Sequence, residues 1–130
     1  MIYEYIDKGE IYTSFPAETM EAKKKIYNAT NTKCVSLSDM DGKEIEISDV
    51  IVTPAIINSD GEETKNVTRC VLVGTDGKYY GGTGSALLQN IDNAIEIFGT
   101  PSKENPFKFA VTKIQSSKNA MYKYVTLEII

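Results

Sequence analysis

The stretch from Val67 to Gly99 constrains the fold more than any other, because it joins four structural signals without a gap. Val67 to Val73 is β-branched and apolar, Thr75-Asp76-Gly77 supplies the turn residues of a hairpin, and Lys78-Tyr79-Tyr80 opens a return strand. Gly81-Gly82-Thr83-Gly84 ends that strand. The residues that follow repeat at helical spacing: Leu87, Leu88, Ile91, Ala94, Ile95 and Phe98 fall on one face, while Gln89, Asp92, Asn93 and Glu96 fall mainly on the other. Thr83 or Ser85 is the expected cap of this helix, and Gly99, with Pro101 just beyond, is its stop. At about 1.5 to 3 kcal/mol for each large side chain taken out of water, its apolar face is a major part of any core.

What closes around this unit is bounded by size and charge. A chain of 130 residues is long enough for one domain and too short for two. Its longest apolar runs are far short of a membrane span, and Met1-Ile2-Tyr3-Glu4-Tyr5 does not read as a signal peptide, so the expectation is a protein of the cytoplasm with no membrane contact. Cys34 and Cys70 have no metal-like spacing and read as buried, reduced thiols, and the chain has no histidine. A net charge of −4 argues against a uniformly basic surface wrapped by duplex DNA, but leaves room for a basic groove on an acidic body.

Residues 1–17, with Ile2, Tyr3, Tyr5, Ile6, Ile11 and Tyr12, read as a peripheral segment, either one or two short strands or an arm laid on the domain. Pro16 and Glu18 mark a helix entry, and the run to Asn28 is free of breakers; Met20 and Tyr27 are its thin apolar side, so it is expected at the edge of the core. Val35 to Lys43 is a turn or short extended entry into a long strand, Glu44 to Ile57. Glu44-Ile45-Glu46-Ile47 alternates, Ser48-Asp49 interrupts, and Val50 to Thr53 resumes, which marks a bulge or bend. Pro54 belongs at an edge or a second kink. After the Val67–Gly99 unit, Phe107, Phe109 and Val111 alternate along one strand, and Val125, Leu127 and Ile129 along the last. The order is therefore bent strand, strand, strand, helix, strand, strand. The expected class is mostly β: a five-stranded OB-fold-like barrel with a helix between strands 3 and 4 and a short N-terminal helix, residues 18–130 forming the domain and 1–17 its arm. A plain α+β sandwich gives a similar string.

Catalytic constellations are scarce, since there is no imidazole to act as a base or to activate a thiol. Asp39 with Asp41, and Asp60 with Glu62 and Glu63, are carboxylate clusters that lie in turns, where such residues are common anyway. No enzyme, metal or cofactor is expected. The glycine corner before the helix has the look of a phosphate cradle. It lacks the lysine of a P-loop and the spacing of a dinucleotide fingerprint, and a tight strand-to-helix corner accounts for it more simply. What remains is a set of aromatics beside cations on strands: Lys78-Tyr79-Tyr80, Lys108 between Phe107 and Phe109, and Tyr122-Lys123-Tyr124. Unpaired bases stack on such rings while cations hold the phosphates. Tyrosine is equally a good half-buried strand residue, so both readings stand on the pattern alone.

Arg69 with Val71-Leu72-Val73, the turn Asp76-Gly77-Lys78, Tyr80, the helix end Ile97-Phe98-Gly99, then Pro101, Pro106 and Tyr124-Val125-Thr126-Leu127-Glu128, taken in order, resemble the single-stranded DNA-binding proteins of phages of Gram-positive bacteria. Lys25-Ile26-Tyr27-Asn28-Ala29 is similar to a segment near the start of those proteins. The resemblance implies an OB-type barrel that coats exposed single strands during phage replication or recombination in the bacterial host, without catalysis or cofactor. It assigns Arg69, Lys78 and Tyr80 to the nucleic-acid face of the second and third strands. Strand alternation adds Tyr79, Lys108, Tyr122 and Tyr124. No aromatic lies between Pro101 and Pro106, where a stacking residue would be expected. Phage replication proteins and a second copy of the chain are the partners such a barrel can take, with residues 1–17 as the candidate dimer contact. The alternative from another class is a non-catalytic protein-interaction module, a phage factor bound to a host or replication protein.

Overall fold

The computed structural model describes residues 2–32, 34–57, 65–115 and 123–130. Its elements run α1 (Ile2–Asp7), β1 (Tyr12–Thr13), α2 (Met20–Asn31), β2 (Val35–Ser36), a 3-10 turn (Leu37–Met40), β3 (Glu44–Ile57), β4 (Lys65–Gly74), β5 (Tyr79–Thr83), α3 (Ser85–Phe98), β6 (Phe107–Gln115) and β7 (Lys123–Ile129). The protein is mostly β, with one sheet curled into a half-barrel. Among the described residues there are seven strands and three α-helices, so the expected count of five strands is corrected by the two-residue strands β1 and β2. None of the described helices is long and apolar enough to cross a membrane.

β3 organises the sheet because it is paired along both edges. Its first half lies antiparallel to β6, from Glu44 opposite Ala110 to Ile47 opposite Phe107. Its second half lies against β4, from Asp49 opposite Val73 to Ile57 opposite Lys65, and Thr13 and Tyr12 of β1 take the other edge at Ile51 and Val52. The register shifts between Ile47 and Asp49, which is the interruption the sequence marks at Ser48-Asp49. Beyond that bulge the strand turns its side chains to serve two layers. β5 continues the sheet beyond β4, β7 beyond β6, and β2 adds a short parallel pairing to β5 at Val35 opposite Tyr80.

Both faces are covered. On the inner face Ile45, Ile47, Val50, Val52, Cys70, Leu72, Phe107, Phe109, Val111, Val125 and Leu127 meet the apolar side of α3, formed by Leu87, Leu88, Ile91, Ala94 and Ile95. α3 also ties β7, whose Leu127 amide donates to Asn90 Oδ1 at 2.9 Å. Ile2 of α1 is wholly buried in this same core, and its amide donates to Asp92 Oδ1 at 3.3 Å, so the N-terminal segment is packed through a helix as well as through the one short strand β1. On the outer face Ile51, Val71 and Val73 are covered by α2.

α2 meets the sheet with a face other than the one its sequence suggests. Met20 and Tyr27 are 67% and 63% exposed, while Ala22 and Ala29 are buried and Ile26 is partly so. Small side chains let the helix backbone approach the β-branched surface closely, and larger residues are left outside. Thr19 caps the helix by accepting the Ala22 amide at 3.1 Å. Lys25 fastens it: Nζ lies 2.9 Å from Asp49 Oδ2, at the bulge, and 4.7 Å from the centre of the Phe15 ring. Lys25→Ala strips a buried carboxylate of its partner and is expected to cost about 1 to 3 kcal/mol of unfolding free energy. Lys24→Ala, at an exposed position, should change it by less than about 0.5 kcal/mol. Chemical denaturation of the two variants checks the contrast.

Candidate nucleic-acid interface

The hairpin from β4 to β5 decides which of its side chains reach solvent. Gly77, at φ +85°, takes a left-handed position in the turn, and the Gly74 amide donates to the Lys78 carbonyl at 2.8 Å. Asp76 clasps the turn from within: Oδ1 accepts the Lys78 amide at 3.0 Å and Oδ2 accepts the Tyr80 hydroxyl at 2.8 Å. Tyr80 is only 6% exposed, its ring among the inner core residues. Its neighbour Tyr79 points to the opposite face, half-buried against the layer under α2, and Lys78 is exposed.

Burial, together with the bond to Asp76 and that residue's charge, pushes the Tyr80 hydroxyl up to about 12. For Asp76, burial acts to raise its pKa, but the Lys78 amide, the Tyr80 hydroxyl and the Lys78 charge prevail and hold the carboxyl below its ordinary value. Burial alone pushes the Cys70 thiol to about 12, which makes it inert, and Cys34 is half-buried rather than buried as expected.

Among the described residues β5 and β7 do not pair with each other, and a groove of about 400 Å³ lies between the two arms of the sheet. Arg69 and the corner Gly81–Gly84 form one side, Lys113, Tyr124 and Val125 the other, with residues 34 and 36–38 completing it. Arg69 stands opposite Thr83 in the β4–β5 pairing. A Cβ placed on Gly81 would sit 3.1 Å from Arg69 Nη2 and 3.2 Å from Cys34 Cβ; one on Gly82 would sit 2.9 Å from Leu87 Cδ2. Glycine at both positions thus fits close packing on both faces of one strand. The helix cap falls on Gly84, without a side-chain hydrogen bond, in place of the expected Thr83 or Ser85.

The sequence-predicted site residues are thus divided. Arg69 and Tyr124 share the groove. Tyr79 lines a second concavity together with Lys25 and Lys103, beside Glu46 and Asp49. Lys108 lines a third with Phe98, Pro106, Ile129 and Ile130. Tyr122 lies outside the described residues, as do Asp60, Glu62 and Glu63. Asp41 accepts the Lys113 amide at 2.9 Å and so serves β6. Lys113 was not singled out by the sequence reading because it follows Val111 on the inward side of β6, where a core residue is expected; the strand outruns the core there and the lysine emerges at the groove. No Asp or Glu lines this groove among the described residues, although the chain has 18 acidic residues against 14 basic ones.

The described residues thus join two cations and a tyrosine in one groove of a mostly β protein whose net charge is −4. The chain belongs to the phage single-stranded DNA-binding protein family, whose model matches residues 6–130. No curated protein and no solved structure matches it.

The Tyr80–Asp76 clasp has a measurable signature. Because the folded state holds the Tyr80 proton more tightly than the unfolded chain, its contribution is intact below pH 10 and is lost as pH climbs toward 12. Asp76 acts at the other end, contributing above its ordinary value of 3.8 and losing that contribution as pH falls below it. Near-ultraviolet titration of the folded protein is expected to show a last tyrosine step near pH 12 that Tyr80→Phe removes.

Proposed function

We propose that the protein is a sequence-tolerant, non-catalytic binder of single-stranded DNA that protects exposed strands during phage replication or recombination. The observation that supports this most directly is the family match across residues 6–130, joined to a groove that carries Arg69, Lys113 and Tyr124 and no carboxylate among the described residues. In this reading the five long strands are those of an OB-type barrel left open between β5 and β7, residues 18–130 are its domain, and residues 1–17 are an arm that completes the core. Tyr124 offers a ring for one base, Arg69 a charge for the backbone, and Lys78 with Tyr79 a second contact on the opposite side of the hairpin. Lys108, on β6, and Tyr122, which lies outside the described residues, are further candidate contacts. Tyr80 contributes by holding the turn, since its ring is inside.

A second reading has its own observation. Phe98 and Ile130 are more than 60% exposed, and together with Ile129 they border the third concavity next to Lys108. An apolar rim of this kind suits a protein partner, either a phage replication protein or a second copy of this chain.

Fluorescence titration with oligo(dT) at several salt concentrations tests the first reading. Binding is expected to weaken as salt rises, with a shallow slope because few phosphates meet cations. Tyr124→Ala should cost about 1 to 3 kcal/mol of binding, as expected for one stacked base. Lys78→Gln should weaken binding to all sequences alike and lower the salt slope by about one. Absence of binding at low salt overturns the reading.

A further inference from the structure

We infer that the glycine corner, Arg69, Lys113 and the start of α3 together form a seat for one phosphate group of the bound strand. This rests on the reading of the protein as a single-stranded DNA binder and deepens it, by assigning the backbone contact to a particular place.

Four features converge there, the first two of them on the Arg69 side chain. Arg69 Nε is buried and, among the described residues, has no hydrogen-bond partner, so that edge of the guanidinium is unsatisfied within the described fold. The guanidinium lies over Gly81, close enough that a Cβ on that residue would press on Nη2 at 3.1 Å. Gly84, at the cap of α3, lines the same groove, and the helix start it provides has no side-chain acceptor for its free amides. A helix of 14 residues brings partial positive charge to such an end. Lys113 adds a mobile cation across the gap.

The ligand chemistry follows from what the groove excludes. With no Asp or Glu among its described lining residues, nothing in it competes for the guanidinium, and the other two concavities do carry carboxylates, Glu46 and Asp49 in one and Glu104 in the other. A phosphate oxyanion can take Arg69 on one side, the α3 amides on another, and Lys113 from the far wall. The phosphate can be internucleotide or terminal; the open groove between the two strand arms suits a passing backbone, and we assign it to an internucleotide phosphate.

The test uses the full chain and oligo(dT) carrying either a 5′-hydroxyl or a 5′-phosphate, with affinity read over a salt series. Arg69→Gln is expected to weaken binding about tenfold or more and to lower the salt slope by about 0.7. Two charge-neutral changes give the geometric readout: Arg69→Lys keeps the charge but loses the fork, and Gly81→Ala keeps the charge but displaces the guanidinium. Both should weaken binding several-fold, whereas Lys8→Gln, which alters net charge at an exposed site away from the groove, should not. Thermal melts confirm that each variant is folded. Equal losses on both oligonucleotides support the internucleotide assignment; losses confined to the 5′-phosphate form keep the seat but assign it to a strand end. Full affinity and slope in Arg69→Lys and Gly81→Ala, in a protein whose wild type binds oligo(dT), overturn the phosphate seat and leave the binding function standing. A wild type that does not bind oligo(dT) overturns the functional reading itself.

Discussion

β3 has to satisfy partners on both edges, and the bulge between Ile47 and Asp49 is how it does so. A flat strand of that length would present a continuous ladder to a single pair of neighbours. The extra residue bends it, so that β6 takes one edge of the first half while β4 follows the second, and the sheet curls as a result. The curl carries β5 and β7 toward one another without closing the ladder between them. Asp49 sits at the bend and would be an unpaired buried charge there if Lys25 did not reach it from α2. One helix is thus fixed to the sheet at the same point that gives the sheet its shape.

How much of this could be read in advance depended on whether local pattern and tertiary demand agreed. Along α3, Leu87, Leu88, Ile91, Ala94 and Ile95 of the apolar stripe are the buried face while Phe98, at its end, is left exposed, and Glu44 to Ile57 is strand from the first residue named to the last. Pattern failed where close approach overruled size. In α2, hydrophobicity points to Met20 and Tyr27, but the sheet needs Ala22 and Ala29 beneath it. Tyr79 and Tyr80 look interchangeable in sequence; the pleat of the strand and the hydroxyl's bond to Asp76 separate them. Lys113 is in register with core residues and becomes a groove residue only because the core ends before the strand does. Arg69 and Tyr124, far apart in sequence, are brought to one groove by a topology that no short motif contains.

Charge is segregated rather than abundant. The net charge of −4 dilutes any long-range attraction for a polyanion, so encounter with DNA gains little from steering. Local contact must supply the affinity, and Arg69 and Lys113 share a groove with no Asp or Glu among its described lining residues. The glycine corner is doubly constrained in this setting. A Cβ on Gly82 would press on the end of Leu87, and one on Gly81 would crowd Arg69 and Cys34. Packing and ligand access therefore select the same residue type at adjacent positions for different physical reasons.

The clasp between Tyr80 and Asp76 reaches further than the turn it closes. Side chains alternate across a strand, so a slip of one residue in the β4–β5 pairing would carry Tyr79 inward and turn Tyr80 out to solvent. Both alternatives place one tyrosine in the core and one outside, and hydrophobic burial alone discriminates weakly between them. The hydroxyl bond does discriminate, because in the native register it is Tyr80 whose hydroxyl reaches Asp76. A polar contact inside the hairpin thereby sets which aromatic ring the protein shows to the outside.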